Sequence, residues 1–432
     1  MSVVSIIATS PGVIEGAKTL GRFVKKAVTY ALDSDQYFPG IQREERVTPY
    51  FCVDIEGLGQ LWSSDAVFEL VEVQWPHDHK LPMARISLTQ ESLQWVNDDF
   101  FDEWRKVRIS MGYPSTGVYQ VGGTFYTQRP RFVMNAKQQT MQLTCFGEAI
   151  RMSHTKRRQL WGDPEKGISY AAIAEEMASR YSLNADVRGA DRVMKPLLQV
   201  NETDWAFLAD IAKCQNYTLY VEDGTLHFHS PEYESTNLRF YLLAGNYANL
   251  SDFTVSSDVY MKGIRATTTQ IDYRKPREPY SISSDLTTED SVTKAMIATA
   301  DDPETATEAA LLGREVPQEF IVHTTKGDTF PEDMKDEVQG VSEASRWYVV
   351  GEATTFGLEM LRPRQVVEVF NVGRYSGEYY VTNVVHKIVG RVYTTSFQLA
   401  RTWRGRAKTT LQSLGKAGTL VQAGTASVGS AG

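Results

Sequence analysis

QVNETDWAFLADIAKCQNYTLYVEDGTLHFHS, residues 199–230, spells a short helix followed by a tight hairpin. Trp205, Leu208, Ala209 and Ala212 recur at helical spacing, flanked by Phe207 and Ile211, so the helix turns a wide apolar face toward a core. Asn201 or Thr203 can cap its start, and Asn216 suits the left-handed residue that ends it. Tyr217, Leu219 and Val221 then alternate with Thr218, Tyr220 and Glu222 as in a half-buried strand. Asp223-Gly224 follows as a two-residue link whose positions both need positive φ, which predicts a hairpin returning along Thr225 to Ser230.

Three further segments fall in order around this one. MQLTCFGEAIRMSHTKRRQLW from Met141 reads as a strand leading into a basic connector, and SYAAIAEEMASRYSLNADV from Ser169 reads as a helix. SGEYYVTNVVHKIVGRVYTTSFQLAR, Ser376 to Arg401, reads as a closing hairpin carrying Tyr379, Tyr380, His386 and Thr395. Together these segments resemble the phage late control D family, the baseplate hub proteins of contractile tails, whose relatives include the spike proteins of type VI secretion. The resemblance spans roughly Val47 to Arg401. It implies a barrel like that of the tail-tube subunit, present twice, with the Gln199 to Ser230 motif in an insertion between the two copies.

Composition agrees with a sheet-rich globular chain. With 42% hydrophobic, 11% aromatic and 23% charged residues the sequence stands apart from disordered chains, and 432 residues suffice for about three domains. Cys52, Cys145 and Cys214 stand in apolar contexts without short spacing, which predicts free buried thiols and a reducing compartment. The opening MSVVSIIATSPG lacks a basic n-region and a cleavage site, and no run of about 18 apolar residues occurs, so neither secretion nor membrane spanning is expected. A net charge of −8 disfavours tight nucleic-acid binding. If the chain surrounds a channel, as the resemblance implies, an acidic or neutral lumen would let DNA pass in transit without holding it.

Along the chain, residues 1–47 form an N-terminal arm with an amphipathic helix over about 12–32, in which Phe23, Lys25 and Lys26 are interface candidates. It is expected to dock on protein rather than to bind a membrane stably. Residues 48–150 contain seven strand-like segments and read as the first tube-like β-barrel. Gly57-Leu58-Gly59, Gly112-Tyr113-Pro114 and Gly122-Gly123 are read as turns between its strands. Residues 151–235 are an α+β insertion, and residues 236–271 with 344–403 form the second barrel. Residues 272–343 are an acidic, less regular insertion, with a surface helix expected over Asp302 to Leu312. Residues 404–432 are a Gly-, Ala- and Ser-rich tail, expected to gain order only against a neighbouring chain. The fold class is therefore α+β and mainly β, with two antiparallel barrels and two insertions.

Chemistry-bearing patterns are sparse. Asp98, Asp99, Asp102 and Glu103 could supply a carboxylate pair for glycoside cleavage, but contiguous acids ahead of Trp104 read more simply as a solvated turn. His227 and His229 alternate opposite Leu226 and Phe228, so both imidazoles could meet one metal; His77-Asp78-His79 is a second such pattern. Neither is joined by a CxxC or HExxH, strand histidines facing solvent are common, and no metal or cofactor is assigned. No GxSxG, GxxxxGK[ST] or strand-led GxGxxG occurs. Lys156, Arg157 and Arg158 form a basic connector that could contact an acidic neighbour.

The resemblance implies a non-enzymatic hub in the virion tail baseplate, assembled in the bacterial host cytoplasm. Three copies would form a pseudo-hexameric ring joining the sixfold tail tube to the threefold central spike, with baseplate wedge and tape measure proteins as further partners. No lysozyme-like or needle segment follows Arg401, so a separate spike polypeptide is expected. Trp205, Phe207, Leu208 and Ile211 are expected as insertion core, and Tyr379, Tyr380 and His386 as structural residues of the second barrel. The alternative is a tail-associated peptidoglycan hydrolase or glycan-binding module using the acids near residue 100.

Overall fold

The structure is a computed structural model that describes residues 48–64, 67–90, 101–114, 116–134, 139–194, 196–242, 248–257, 265–271, 279–283, 319–321, 331–344 and 347–402. The expectations for the N-terminal helix with Phe23, Lys25 and Lys26, for Asp98 and Asp99, for Asp302 to Leu312 and for the tail lie outside the described residues.

The first sheet region comprises β1 (Tyr50–Ile55), β2 (Gly59–Trp62), β3 (Val67–Pro76), β4 (Met83–Gln90), β5 (Lys106–Tyr113), β6 (Gly117–Met134) and β7 (Gln139–Gly147), paired in the order β2-β1-β5-β6-β7-β4-β3. Every pair is antiparallel. Strand alternation puts Val53, Ile55, Val71, Val73, Ile86, Val107, Ile109 and Leu143 into one buried cluster. Four strands separate β1 from β3 in this order, yet Phe51 of β1 meets Phe68 of β3 edge-on at 4.9 Å. The sheet therefore curls until its ends meet, with side chains rather than a backbone ladder spanning the seam among the described residues.

Gly122-Gly123, expected as a turn, lies inside the 18-residue strand β6. Its φ angles of 77° and 76° form a bulge instead, where the β5–β6 register jumps between Arg108 and Ser110. Gly122 is required there, because a Cβ would lie 2.6 Å from the Phe125 ring and 2.8 Å from Val73. Two expected strands are thus one bent strand.

The insertion comprises β8 (Lys156–Trp161), β9 (Ile168–Ser169), α1 (Tyr170–Arg180), β10 (Asn184–Val187), β11 (Val193–Met194), β12 (Leu197–Thr203), α2 (Asp204–Gln215), β13 (Thr218–Glu222) and β14 (Thr225–His229). Thr203 caps α2 by accepting from Ala206 N at 3.2 Å, and Asn216 ends it at φ 52°, ψ 42°. Asp223 and Gly224 take φ 47° and 73°, the paired positive angles that the hairpin needs. Trp205, Phe207, Leu208 and Ile211 join Trp161, Ile173, Met177, Leu219, Leu226 and Phe228 in a second core. β10 runs parallel to β14, whose other edge pairs with β13.

The rest of the chain gives β15 (Glu234–Tyr241), β16 (Leu250–Ser257), β17 (Arg265–Ile271), β18 (Pro279–Ser283), β19 (Glu319–Ile321), α3 (Pro331–Ala344), β20 (Val349–Phe356), β21 (Gln365–Phe370), β22 (Gly377–Val389) and β23 (Val392–Arg401). β15-β21-β22-β23-β20-β16 form the second half of the sheet over their own core. One pair, β15–β21, is parallel, which departs from the expected all-antiparallel barrel. β17, expected in that barrel, pairs instead with β18 and β19 in a separate small sheet. Its sequence RATTTQI offers no alternating apolar face for a barrel interior. The acidic stretch also carries α3, whose Val338 is buried and whose Gly340 fits against Cys214 O of α2. Cys52 and Cys145 are buried free thiols, with Cys145 pushed up to about 12 by burial, whereas Cys214 is only half-buried.

The two halves are one sheet because β22 is shared. Its first part, Gly377 to Tyr380, pairs with β21; its later part, Asn383 to Val389, pairs with β3 on the same edge. The second half also curls until its edges meet, and Asn249 sews them. Its backbone N–H donates to Tyr241 O at 3.1 Å, its side chain donates to Arg239 O at 2.8 Å and accepts from Tyr241 N at 2.6 Å, and its carbonyl accepts from Thr355 at 2.5 Å. Asn249→Ala leaves the Tyr241 N–H and the Arg239 carbonyl without that partner, and should cost about 2–4 kcal/mol at roughly 1–3 kcal/mol per unsatisfied buried group. The urea midpoint of full-length protein measures it; an unchanged midpoint would show that the seam is closed by other means.

Candidate functional site

The insertion hairpin docks on the sheet at a joint with the loop between β3 and β4. The loop between β3 and β4 turns at His79, whose φ is 56°, and reaches the insertion hairpin. There His79 N donates to Leu219 O at 2.9 Å, and His79 Nε2 bonds Tyr217 O at 2.9 Å. Burial, as the largest cause, lowers the His79 pKa from its ordinary value. A neutral imidazole donating from Nε2 fits that carbonyl contact.

Arg364, just before β21, locks the same joint from the second half. Its guanidinium donates to His77 O at 2.9 Å and to Glu222 at 2.8 Å, and lies 3.6 Å from the centre of the Tyr220 ring. An aromatic group of Tyr233, Trp347 and Tyr380 continues it, with ring centres 5.0–5.9 Å apart and His77 edge-on to Tyr380 at 5.8 Å. Arg364→Ala should loosen this docking by about 1.5–3 kcal/mol, the range for hydrogen bonds to charged groups. Faster amide exchange at His79, with exchange in the α2 interior unchanged, is the expected readout; equal exchange at His79 would contradict the assignment.

The basic connector divides. Arg157 turns inward and pairs with Asp204 at 3.1 Å, whereas Lys156 and Arg158 stay exposed on the outer face of the β8–β12 ribbon. That face also exposes Leu160, Leu198 and Val200. Leu160 lies opposite Leu198, and Arg158 opposite Val200. Tyr379, Tyr380 and His386 are all buried in the second half. Asp102 and Glu103 lie on an exposed turn whose Asp102 carbonyl accepts from Thr127, so no pocket surrounds these acids.

The histidine patterns behave differently from one another. His77 bonds Asp78 at 2.8 Å while His79 faces Tyr217, so these two rings do not converge. On β14, His227 and His229 do converge, and they are not on a solvent face: His229 is 4% exposed. Asp186 of β10, which sequence reasoning missed, completes the group. It is the register partner of His227, and the parallel pairing places its carboxylate 2.8 Å from His227 Nδ1. Burial alone would raise Asp186, but hydrogen bonds from His227 and Arg188 outweigh it and hold the carboxyl below its ordinary value. Burial, the largest cause, lowers His227. The alternation Asn184-Ala185-Asp186-Val187 marks a short strand ahead of the hairpin but does not give that strand's partner.

Among the described residues no helix is long and apolar enough to cross a membrane. No curated protein sequence matches the chain. Among solved structures, the 43 kDa tail protein of prophage MuSo2 from Shewanella oneidensis is 9% identical at a TM-score of 0.56, over 82% of this chain and 99% of that one. A tail protein from Neisseria meningitidis MC58 is 10% identical at a TM-score of 0.53, over 82% of this chain and 98% of that one. In the lidded Francisella PdpA-VgrG complex the matched chain is 8% identical at a TM-score of 0.50, over 88% of this chain and 56% of that one. The chain therefore has the fold of phage tail proteins and of a PdpA-VgrG complex chain, the fold that the late control D resemblance implied. In sequence, residues 43–263 match the family model of the Alg8 N-terminal domain, half of the chain, and the protein belongs to that family.

Proposed function

We propose that the chain is a structural hub of a contractile tail baseplate. The observation that carries this reading is the doubled architecture: a seven-strand run and a six-strand run on one continuous sheet, each curled on itself and each with its own core. Three such chains offer six curled units to a sixfold tube and three equivalent positions to a threefold spike. Heterologous contacts that close by rotation build such a ring, and they bury broad sheet and loop surface rather than one pocket.

The outer face of the β8–β12 ribbon is a contact surface of this assembly, because it combines exposed Leu160, Leu198 and Val200 with Lys156 and Arg158. The tail tube and the central spike are the direct partners in this reading, wedge and tape measure proteins lie beyond, and DNA crosses the lumen only in transit. In this reading the protein works in the virion tail after assembly in the host cytoplasm. No enzymatic role is assigned: the exposed turn of Asp102 and Glu103 lacks the pocket that raises the pKa of a catalytic acid.

Native mass spectrometry of the full chain with its tube and spike proteins tests the reading. Complexes built on three copies of the chain are expected. A chain that stays monomeric in the presence of both partners would overturn it.

A further inference from the structure

We infer that Asp186, His227 and His229 form a binding site for one divalent d-block cation, zinc(II) above all. One ligand atom from each residue lies within 4.8 Å of the others. His227 Nδ1 is 2.8 Å from Asp186 Oδ2, and His229 Nε2 is 3.9 Å from the same oxygen. Bonds of about 2.0–2.2 Å to imidazole nitrogen and carboxylate oxygen require ligand atoms roughly 3–3.5 Å apart, so closure needs side-chain shifts within ordinary rotamer play.

The state of His229 is the observation that points to a cation. Its Nδ1 lies 2.7 Å from Ser230 O, a carbonyl that can only accept, so Nδ1 carries the hydrogen. Nε2 is then a lone pair, buried, with no hydrogen-bond partner, and directed at a carboxylate oxygen. Two acceptors facing each other at 3.9 Å, the imidazole buried and the carboxylate half-buried, repel unless a cation lies between them. A ring whose other nitrogen is fixed by a backbone carbonyl is also the arrangement metal-bound histidines adopt.

His227 takes part by changing tautomer. Its Nδ1–H now donates to Asp186; moving that hydrogen to Nε2 frees Nδ1 as a ligand without releasing a proton. Arg188 contributes two contacts to Asp186, at 3.0 Å and 3.2 Å, and its half-exposed side chain can move aside. Two imidazoles and one carboxylate suit zinc, nickel or cobalt rather than calcium or magnesium, and they leave a position for water. Because the ligands come from β10 and β14, the ion clips the insertion's edge strand to its hairpin. It sits beside Tyr220, which stacks on His227 at 4.3 Å and on Arg364 at 3.6 Å, and so stiffens the joint to the sheet.

Cobalt(II) is the probe, added to full-length protein and followed by its visible d–d absorption, with zinc(II) as competitor. One equivalent per chain, displaced by zinc, is expected. His229→Gln and His227→Gln should each weaken cobalt by more than the roughly 10–100-fold that loss of an outer hydrogen-bond partner costs. His227 is only partly buried, so its variant tests the site without opening the core. Absence of the band, or a band that survives in both variants while circular dichroism shows them folded, would overturn the site.

Discussion

Replacing Asp204 by alanine should lower the stability of the protein by about 3–5 kcal/mol, the cost of breaking a buried charged network by removing one partner. Asp204 is fully buried at the first turn of α2, where the helix dipole favours an anion. Its Oδ2 accepts from Arg157 at 3.1 Å, Arg180 at 3.0 Å and the Tyr181 hydroxyl at 2.8 Å, and its Oδ1 accepts from Gln199 at 2.9 Å. Gln199 in turn accepts from the Trp161 indole at 3.0 Å. Alanine would take the shared acceptor from two guanidinium groups, a phenol and an amide, of which Arg180 keeps Gln159 and Glu176. Asparagine keeps the shape and loses the charge, so Asp204→Asn should fall between alanine and wild type. Urea unfolding of the three proteins provides the comparison; a loss under about 1 kcal/mol for alanine would mean that the network is incidental.

The second large effect is on pH dependence, and it belongs to His386. This ring is fully buried, its Nε2 donates to Leu361 O at 3.1 Å, and its Nδ1 accepts from the Tyr393 hydroxyl at 2.9 Å. Burial lowers its pKa to about 4. An unfolded chain protonates the same ring near pH 6.5, so between pH 6.5 and 4 the unfolded state binds the extra proton. Stability contributed by neutral His386 is therefore intact above pH 6.5 and is lost as pH falls through that window. The slope is about 1.4 kcal/mol per pH unit, or roughly 3 kcal/mol in all. His386→Leu should be less stable at pH 7 and should lack this slope. Equal slopes for variant and wild type between pH 6.5 and 4 would refute the assignment.

Local chemistry made much of this fold legible. The Thr203 cap, left-handed Asn216, the Asp223-Gly224 link and the alternation of β22 and β23 each depend on residues within a few positions of one another. Gly122-Gly123 was misread because a bulge and a turn make the same demand for positive φ, and only the long β6 pairing separates them. α3 was missed in an acidic stretch although Met334, Val338 and Val341 keep helical spacing. The candidate metal site was half visible. His227 and His229 share a strand, but Asp186 joins them only through a parallel pairing that no local pattern encodes, and the burial of His229 depends on the whole insertion. The sharing of β22 between β21 and β3 was likewise invisible, since it depends on which edge a distant strand meets.

That shared strand underlies the central proposal, in which one chain supplies two tube-like units. Electron cryomicroscopy of the full chain bound to its tail tube tests it most directly. The account predicts a ring of three chains in which six curled sheet units face the tube, the two units of each chain being continuous through β22. A ring of six chains with one unit each against the tube, or a tube end bound by a single chain, would contradict it.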